Sequence, residues 1–119
     1  MKKSILCVFI FSIISSCTSS NNIVKIINES ESKIDSILLI GNQKCSPLVL
    51  KNITPNNSKT GALDNCNKSG GDGSYILKLY VDNNEITKGF GYYTNGVMYF
   101  DEFVIKFTKD NSIIITEKF

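Results

Sequence analysis

Four cysteines, Cys7, Cys17, Cys45 and Cys66, are the strongest nucleophiles in this chain of 119 residues. No histidine accompanies them, which removes imidazole bases, His-dependent triads and His-containing zinc sites. Cys45 and Cys66 alone are too few ligands to close a metal site. Asp101-Glu102 is an adjacent carboxylate pair. Neighbours in a strand point to opposite faces, so these two do not flank one bond as a glycosidase pair must. Asn65-x-Asn67-x-Ser69-Gly70 opens like a calcium loop, but the required spacing puts Ile76 where a bidentate Glu belongs, so it reads as a turn-rich loop. The glycosylation sequons at Asn28, Asn52, Asn56 and Asn67 read as chance matches in an Asn-rich chain. No nucleophile–base pair survives, so neither an enzyme nor a cofactor is expected.

The most distinctive segment is Gly89-Phe90-Gly91-Tyr92-Tyr93-Thr94-Asn95-Gly96, with Tyr99 just beyond it. In a regular strand Phe90 and Tyr92 share one face, while Tyr93 joins the glycines on the other. Two readings follow. Tyr92, Tyr93 and Tyr99 could form a shallow platform that stacks on a sugar ring or a partner's side chain. Alternatively the aromatics are core and the glycines mark a bulge. Phe90 is expected to be core, and at least one of the three tyrosines dispensable for folding. All 13 basic residues are Lys, against 11 acids. There is no Arg-rich basic stripe, so no nucleic-acid partner is expected.

The N-terminus begins Met1-Lys2-Lys3, a short positive region, and continues in an apolar run that ends at Ile14-Ser15-Ser16-Cys17. That run is too short to span a membrane, which takes about 20 apolar residues, and its charge layout is that of a secretory leader. The four residues Ile14-Ser15-Ser16-Cys17 resemble the lipobox of bacterial lipoproteins: an aliphatic residue, two small residues and a Cys. The resemblance implies that residues 1–16 are removed and that Cys17 carries a diacylglyceryl group. Two or three acyl chains, each methylene contributing about 0.8 kcal/mol, anchor a protein stably where one chain is marginal. Membrane attachment through lipid is thus the one firmly implied partner. Thr18, not Asp, follows the Cys, which by the same resemblance sorts the protein to the outer membrane of a Gram-negative envelope. Residues 17–22 read as the lipidated Cys and a polar tether; the five residues after Cys17 reach at most roughly 17 Å. Without residues 1–16 the chain holds 11 Lys and 11 acids, so it has no net charge to steer it toward anionic lipid.

In that oxidising compartment Cys45 and Cys66 can form a disulfide. Closing a ring of some twenty residues contributes about 3 kcal/mol by loop entropy. Two unpaired thiols held apart by strand geometry remain the alternative, since sequence carries no distance.

Residues 23–119 show short β-branched and aromatic runs broken by Asn, Gly, Asp and Pro, the pattern of a single all-β domain. The runs predict strands at Ile23–Asn28, Ile34–Ile40, Leu48–Ile53, 59–63, 74–81, 86–93, 97–100, around Phe103, Ile105 and Phe107, and at 113–116. In the second, alternation sets Ile34, Ser36, Leu38 and Ile40 on one side and Ile37 and Leu39 on the other. In 74–81 it sets Tyr75, Leu77, Leu79 and Val81 on one face. Asn95-Gly96 is a type I′ hairpin signal. Seven to nine short strands predict an antiparallel β-sandwich, immunoglobulin-like or transthyretin-like, with a small closed β-barrel as the alternative.

The expectation for function is a non-enzymatic envelope lipoprotein whose β-domain binds a protein or a glycan. The alternative is an inhibitor or immunity protein acting on a secreted hydrolase or toxin. In size and address the chain resembles periplasmic lysozyme inhibitors, but it carries none of their motif. The Tyr93-Thr94-Asn95-Gly96 hairpin is similar to those of small envelope lipoproteins of unassigned task, and this likeness implies no function.

Overall fold

The computed structural model describes residues 22–64, 66 and 70–119. The expected leader at 1–16, Cys17 and the residues Asn65, Asn67 and Ser69 of the calcium-like loop lie outside the described residues. The strands are β1 (Ile23–Asn28), β2 (Ile34–Ile40), β3 (Leu48–Ile53), β4 (Ser58–Ala62), β5 (Gly73–Val81), β6 (Asn84–Tyr93), β7 (Glu102–Phe107) and β8 (Ile113–Lys118). They form two four-stranded sheets, β4-β1-β7-β8 and β3-β2-β5-β6. Both sheets are open, so the molecule is a β-sandwich and not a closed barrel. β1 and β2 lie in different sheets, whereas the immunoglobulin constant arrangement keeps its first two strands in one. That leaves the transthyretin-like alternative.

Alternation places the core. Val24 and Ile26 of β1, Leu77 and Leu79 of β5 and Phe103, Ile105 and Phe107 of β7 are fully buried between the sheets. Burying side chains of this size contributes roughly 1.5–3 kcal/mol each. The face predicted for residues 74–81, Tyr75 through Val81, is the buried one.

Three local expectations are corrected. The pairing is not wholly antiparallel, because β1 and β7 run parallel, with Ile23 opposite Glu102 and Asn28 opposite Phe107. The chain crosses between sheets after β1, β3, β4 and β6, and so re-enters the first sheet in the direction of β1. In β2 the register shifts between Ile34 and Ser36, and this one-residue irregularity turns Ile34 inward with Ile37 and Leu39. Residues 97–100 form no strand; a single bridge, Thr94 to Val97, is made there. Met98 and Phe100 still alternate inward, but the Phe100 carbonyl accepts the Asn22 side-chain amide at 2.9 Å in place of a ladder partner.

The strand directions give the sandwich two unlike ends. One carries Asn22, residues 41–47, 63–64, 66, 70–72 and 94–101 and Phe119, and is called the hairpin end below. The other carries the turns at 29–33, 54–57, 82–83 and 108–112, and is called the turn end.

Candidate functional site

The hairpin end is built on an aromatic cluster. Tyr75 lies with its ring centroid 5.5 Å from Tyr93 and Phe100 and 5.1 Å from Phe103. Phe100 stacks on Phe103 at 3.8 Å, and Phe90 meets Phe103 edge-on at 4.9 Å. Edge-to-face pairs of this kind add about 0.5–1.5 kcal/mol beyond burial. Phe90 is therefore packed against the core as expected, though only half-buried.

Gly91 decides which tyrosine faces water. β5 and β6 shift register between Tyr75–Phe90 and Gly73–Tyr93, so β6 carries one extra residue there. Gly91 takes φ +64°, the left-handed conformation of a glycine bulge. A Cβ on it would stand 2.9 Å from Tyr75 Cδ2. The bulge reverses the alternation that follows, so Tyr92 is 56% exposed and Tyr93 only 6%. Tyr93 is thus removed from the predicted platform: its ring is core, and its hydroxyl donates toward the Gly41 carbonyl at 3.4 Å. Tyr99 is 57% exposed. The surface that remains is Tyr92 and Tyr99, with Val97 also exposed.

The turn between them is held from both sides. Asn95 and Gly96 both have positive φ, 51° and 74°, as a type I′ turn requires. The Gly96 amide donates to Gly71 O at 2.8 Å, and the Asn95 amide donates to Asp72 Oδ1 at 3.0 Å. Thr94 Oγ1 and the Tyr99 hydroxyl share a hydrogen bond of 2.7 Å. The chain just before Gly70 is itself fastened at Cys66: Cys45 and Cys66 are joined in a disulfide, with Cα atoms 5.6 Å apart. The bridge ties residues 41–47 to the segment that supports the hairpin. Asp72 has no counterpart in the sequence reading. Its place beside the tyrosines depends on a loop fold that no local pattern announces.

Electrostatically, the surface is acidic at its edge. The Asp72 carboxylate beside it, chiefly through its charge, holds the Tyr92 phenol above its usual range, with smaller contributions from burial, a hydrogen bond to Asp72 and Tyr99. Beneath it, burial pushes the Tyr75 phenol up strongly, helped by the charge of Glu117 and by Tyr93. Tyr75 Oη has no hydrogen-bond partner among the described residues. Both phenols are neutral near pH 7, so the surface offers ring faces and hydroxyls, not a nucleophile.

Among the described residues no three His, Cys, Asp or Glu side chains gather to hold a metal. Asp101 is exposed, and Glu102 is engaged with Lys118 Nζ at 3.6 Å. Asn28 is a buried hub. Its Oδ1 accepts from the Ser30 amide and hydroxyl at 3.0 and 2.6 Å, while its Nδ2 donates to Ser32 O at 2.7 Å and Ile53 O at 2.9 Å. That role had no signal in the sequence beyond an Asn at a strand end.

No family model matches this chain, and no curated protein matches it. Among solved structures it is similar to a protein from Eubacterium rectale determined by NMR, with a TM-score of 0.52 and 10% sequence identity, covering 83% of this chain and 89% of that one. At such identity the likeness shows a shared β-sandwich fold and nothing about activity.

Proposed function

We propose that this chain is a lipid-anchored protein of the bacterial envelope, held at the outer membrane by acyl chains on Cys17, whose β-sandwich acts by contact and not by catalysis. The contact surface is the hairpin end, through Tyr92 and Tyr99. The observation that supports it is the Gly91 bulge, which turns Tyr92 out to water while its neighbour Tyr93 goes into the core. The bracing of the turn by Gly71 and Asp72, and of their segment by the disulfide, holds the two rings in place before any partner arrives. Such preorganisation lowers the ordering cost of association.

Metabolic labelling with a palmitate analogue tests the anchor. Wild-type protein takes the label, and Cys17→Ser does not and stays as precursor. Label persisting on the variant would overturn the anchor.

A further inference from the structure

The hairpin end is also the end at which the tether joins the domain. Asn22 is buried there, its side-chain amide on Phe100 O at 2.9 Å and its carbonyl accepting the Leu63 amide at 3.0 Å. From Asn22 back to Cys17 the chain can reach at most roughly 17 Å, whatever path it takes. An acylated Cys17 therefore leaves this end of the sandwich little more than a tether's length from lipid. The exposed apolar and aromatic side chains are distributed to match. Six such residues are exposed among those described: Tyr92, Val97, Tyr99 and Phe119 sit at the hairpin end, Val49 adjoins it at the start of β3, and Ile114 lies toward the turn end.

We infer that the surface formed by Tyr92, Val97, Tyr99 and Phe119 rests in the headgroup layer of the membrane that holds the Cys17 acyl chains. The inference depends on the anchor proposed above and names the partner of the same surface. Tyrosine suits that depth, because its ring is apolar and its hydroxyl stays wet, and it is enriched at membrane–water interfaces. The exposed charges at this end include Asp64, Asp72, Asp101 and Glu117, against Lys44 and Lys118, the latter paired with Glu102. The contact is therefore interfacial and not a polybasic attraction, and anionic lipid should weaken it. The orientation that results leaves the turn end pointing away from the bilayer.

The chain contains no Trp, so single reporters can be placed without background. Tyr99→Trp marks the hairpin end and Lys109→Trp the exposed far turn. Each is prepared as the full acylated protein on phosphatidylcholine vesicles, alone or with a headgroup nitroxide lipid. Flotation is measured in the same samples beside Cys17→Ser. The expected result is flotation of the acylated forms only, with quenching at position 99 several-fold greater than at 109. Val97→Trp should be quenched like position 99, which guards against a perturbation special to Tyr99. Flotation with no quenching at 99 or 97, or with equal quenching at 109, overturns the membrane contact and leaves the anchor standing. Position 99 staying unquenched on vesicles but becoming shielded when envelope proteins are added also overturns it, and gives the surface to a protein. Failure of the wild-type protein to float overturns the anchor itself, and the membrane contact with it.

Discussion

The two ends of the sandwich close the same pair of sheets by different means. At the turn end the connections are short, and Asn or Asp residues take the left-handed conformation the tight turns need: Asn56, Asp82, Asn83 and Asn111 all have positive φ. The buried amide of Asn28 ties its first loop to the end of β3. At the hairpin end the connections are long, and a disulfide, a stacked aromatic cluster and side-chain support add to the tight turn at Asn95-Gly96. Local turn chemistry needs little surface, so the turn end stays polar. Long loops must be held by something from outside themselves, and the residues that hold them also present the exposed rings.

Removing a fully buried ring of the aromatic cluster should separate the ends most strongly. Phe100→Ala is expected to cost about 3–5 kcal/mol, as for a large buried aromatic, measured by denaturant unfolding. A loss under 1 kcal/mol would mean that the hairpin end does not depend on its cluster. Losing the bridge comes next. Cys45→Ala with Cys66→Ala should cost about 3 kcal/mol by loop entropy, and amide exchange should rise at 70–73 and 94–97 before it rises at the turn end. Uniform loosening would remove the distinction drawn between the ends.

Asn28→Ala tests the opposite end. It removes the acceptor of the Ser30 amide and hydroxyl and the donor to the Ser32 and Ile53 carbonyls, at about 2 kcal/mol, and protection should be lost at 29–33 and 53–57 first. Alkali should then sharpen the contrast, because Tyr75 belongs to the hairpin end. Its phenol is raised in the folded state, so the stability it contributes is complete below the ordinary tyrosine value near pH 10. Above that the unfolded chain ionises first, and stability falls by at most about 1.4 kcal/mol per pH unit. Thermal unfolding followed from pH 9 to 11 checks this, and Tyr75→Phe should flatten the slope. The smallest effect belongs to the surface rings: Tyr92→Ala and Tyr99→Ala should each change the unfolding free energy by no more than about 0.5 kcal/mol. A large loss from either would make that ring structural and end its use as a contact surface.

Much of this fold was legible before any coordinates. Period-two alternation with Asn, Gly, Asp and Pro breaks located the eight strands to within a few residues at their ends, and Asn95-Gly96 announced a type I′ turn. Two of the errors share one cause. Between Ile34 and Ser36 and at Gly91 an inserted residue reverses which side chains face the core, and alternation read along one strand cannot register a mismatch with its neighbour. Regular alternation leaves Tyr93 among the candidate platform residues for that reason. A glycine flanked by aromatics signalled the bulge without saying where in the pairing it would fall. The parallel β1–β7 pairing and the missing strand at 97–100 depend instead on how the chain crosses between sheets.

The amino-acid order by itself determined the elements whose causes are local: the strands, the hairpin turn, the lack of imidazole chemistry and the Ile14-Ser15-Ser16-Cys17 run that resembles a lipobox. Tertiary structure alone decided what depends on residues far apart in the chain. It paired Cys45 with Cys66, set β1 parallel to β7, brought Asp72 beside Tyr92 and put Asn22 at the same end as Tyr99. Sequence spacing encodes periodicity and turn geometry over a few residues. Distances between loops come only from the register and crossing of two packed sheets.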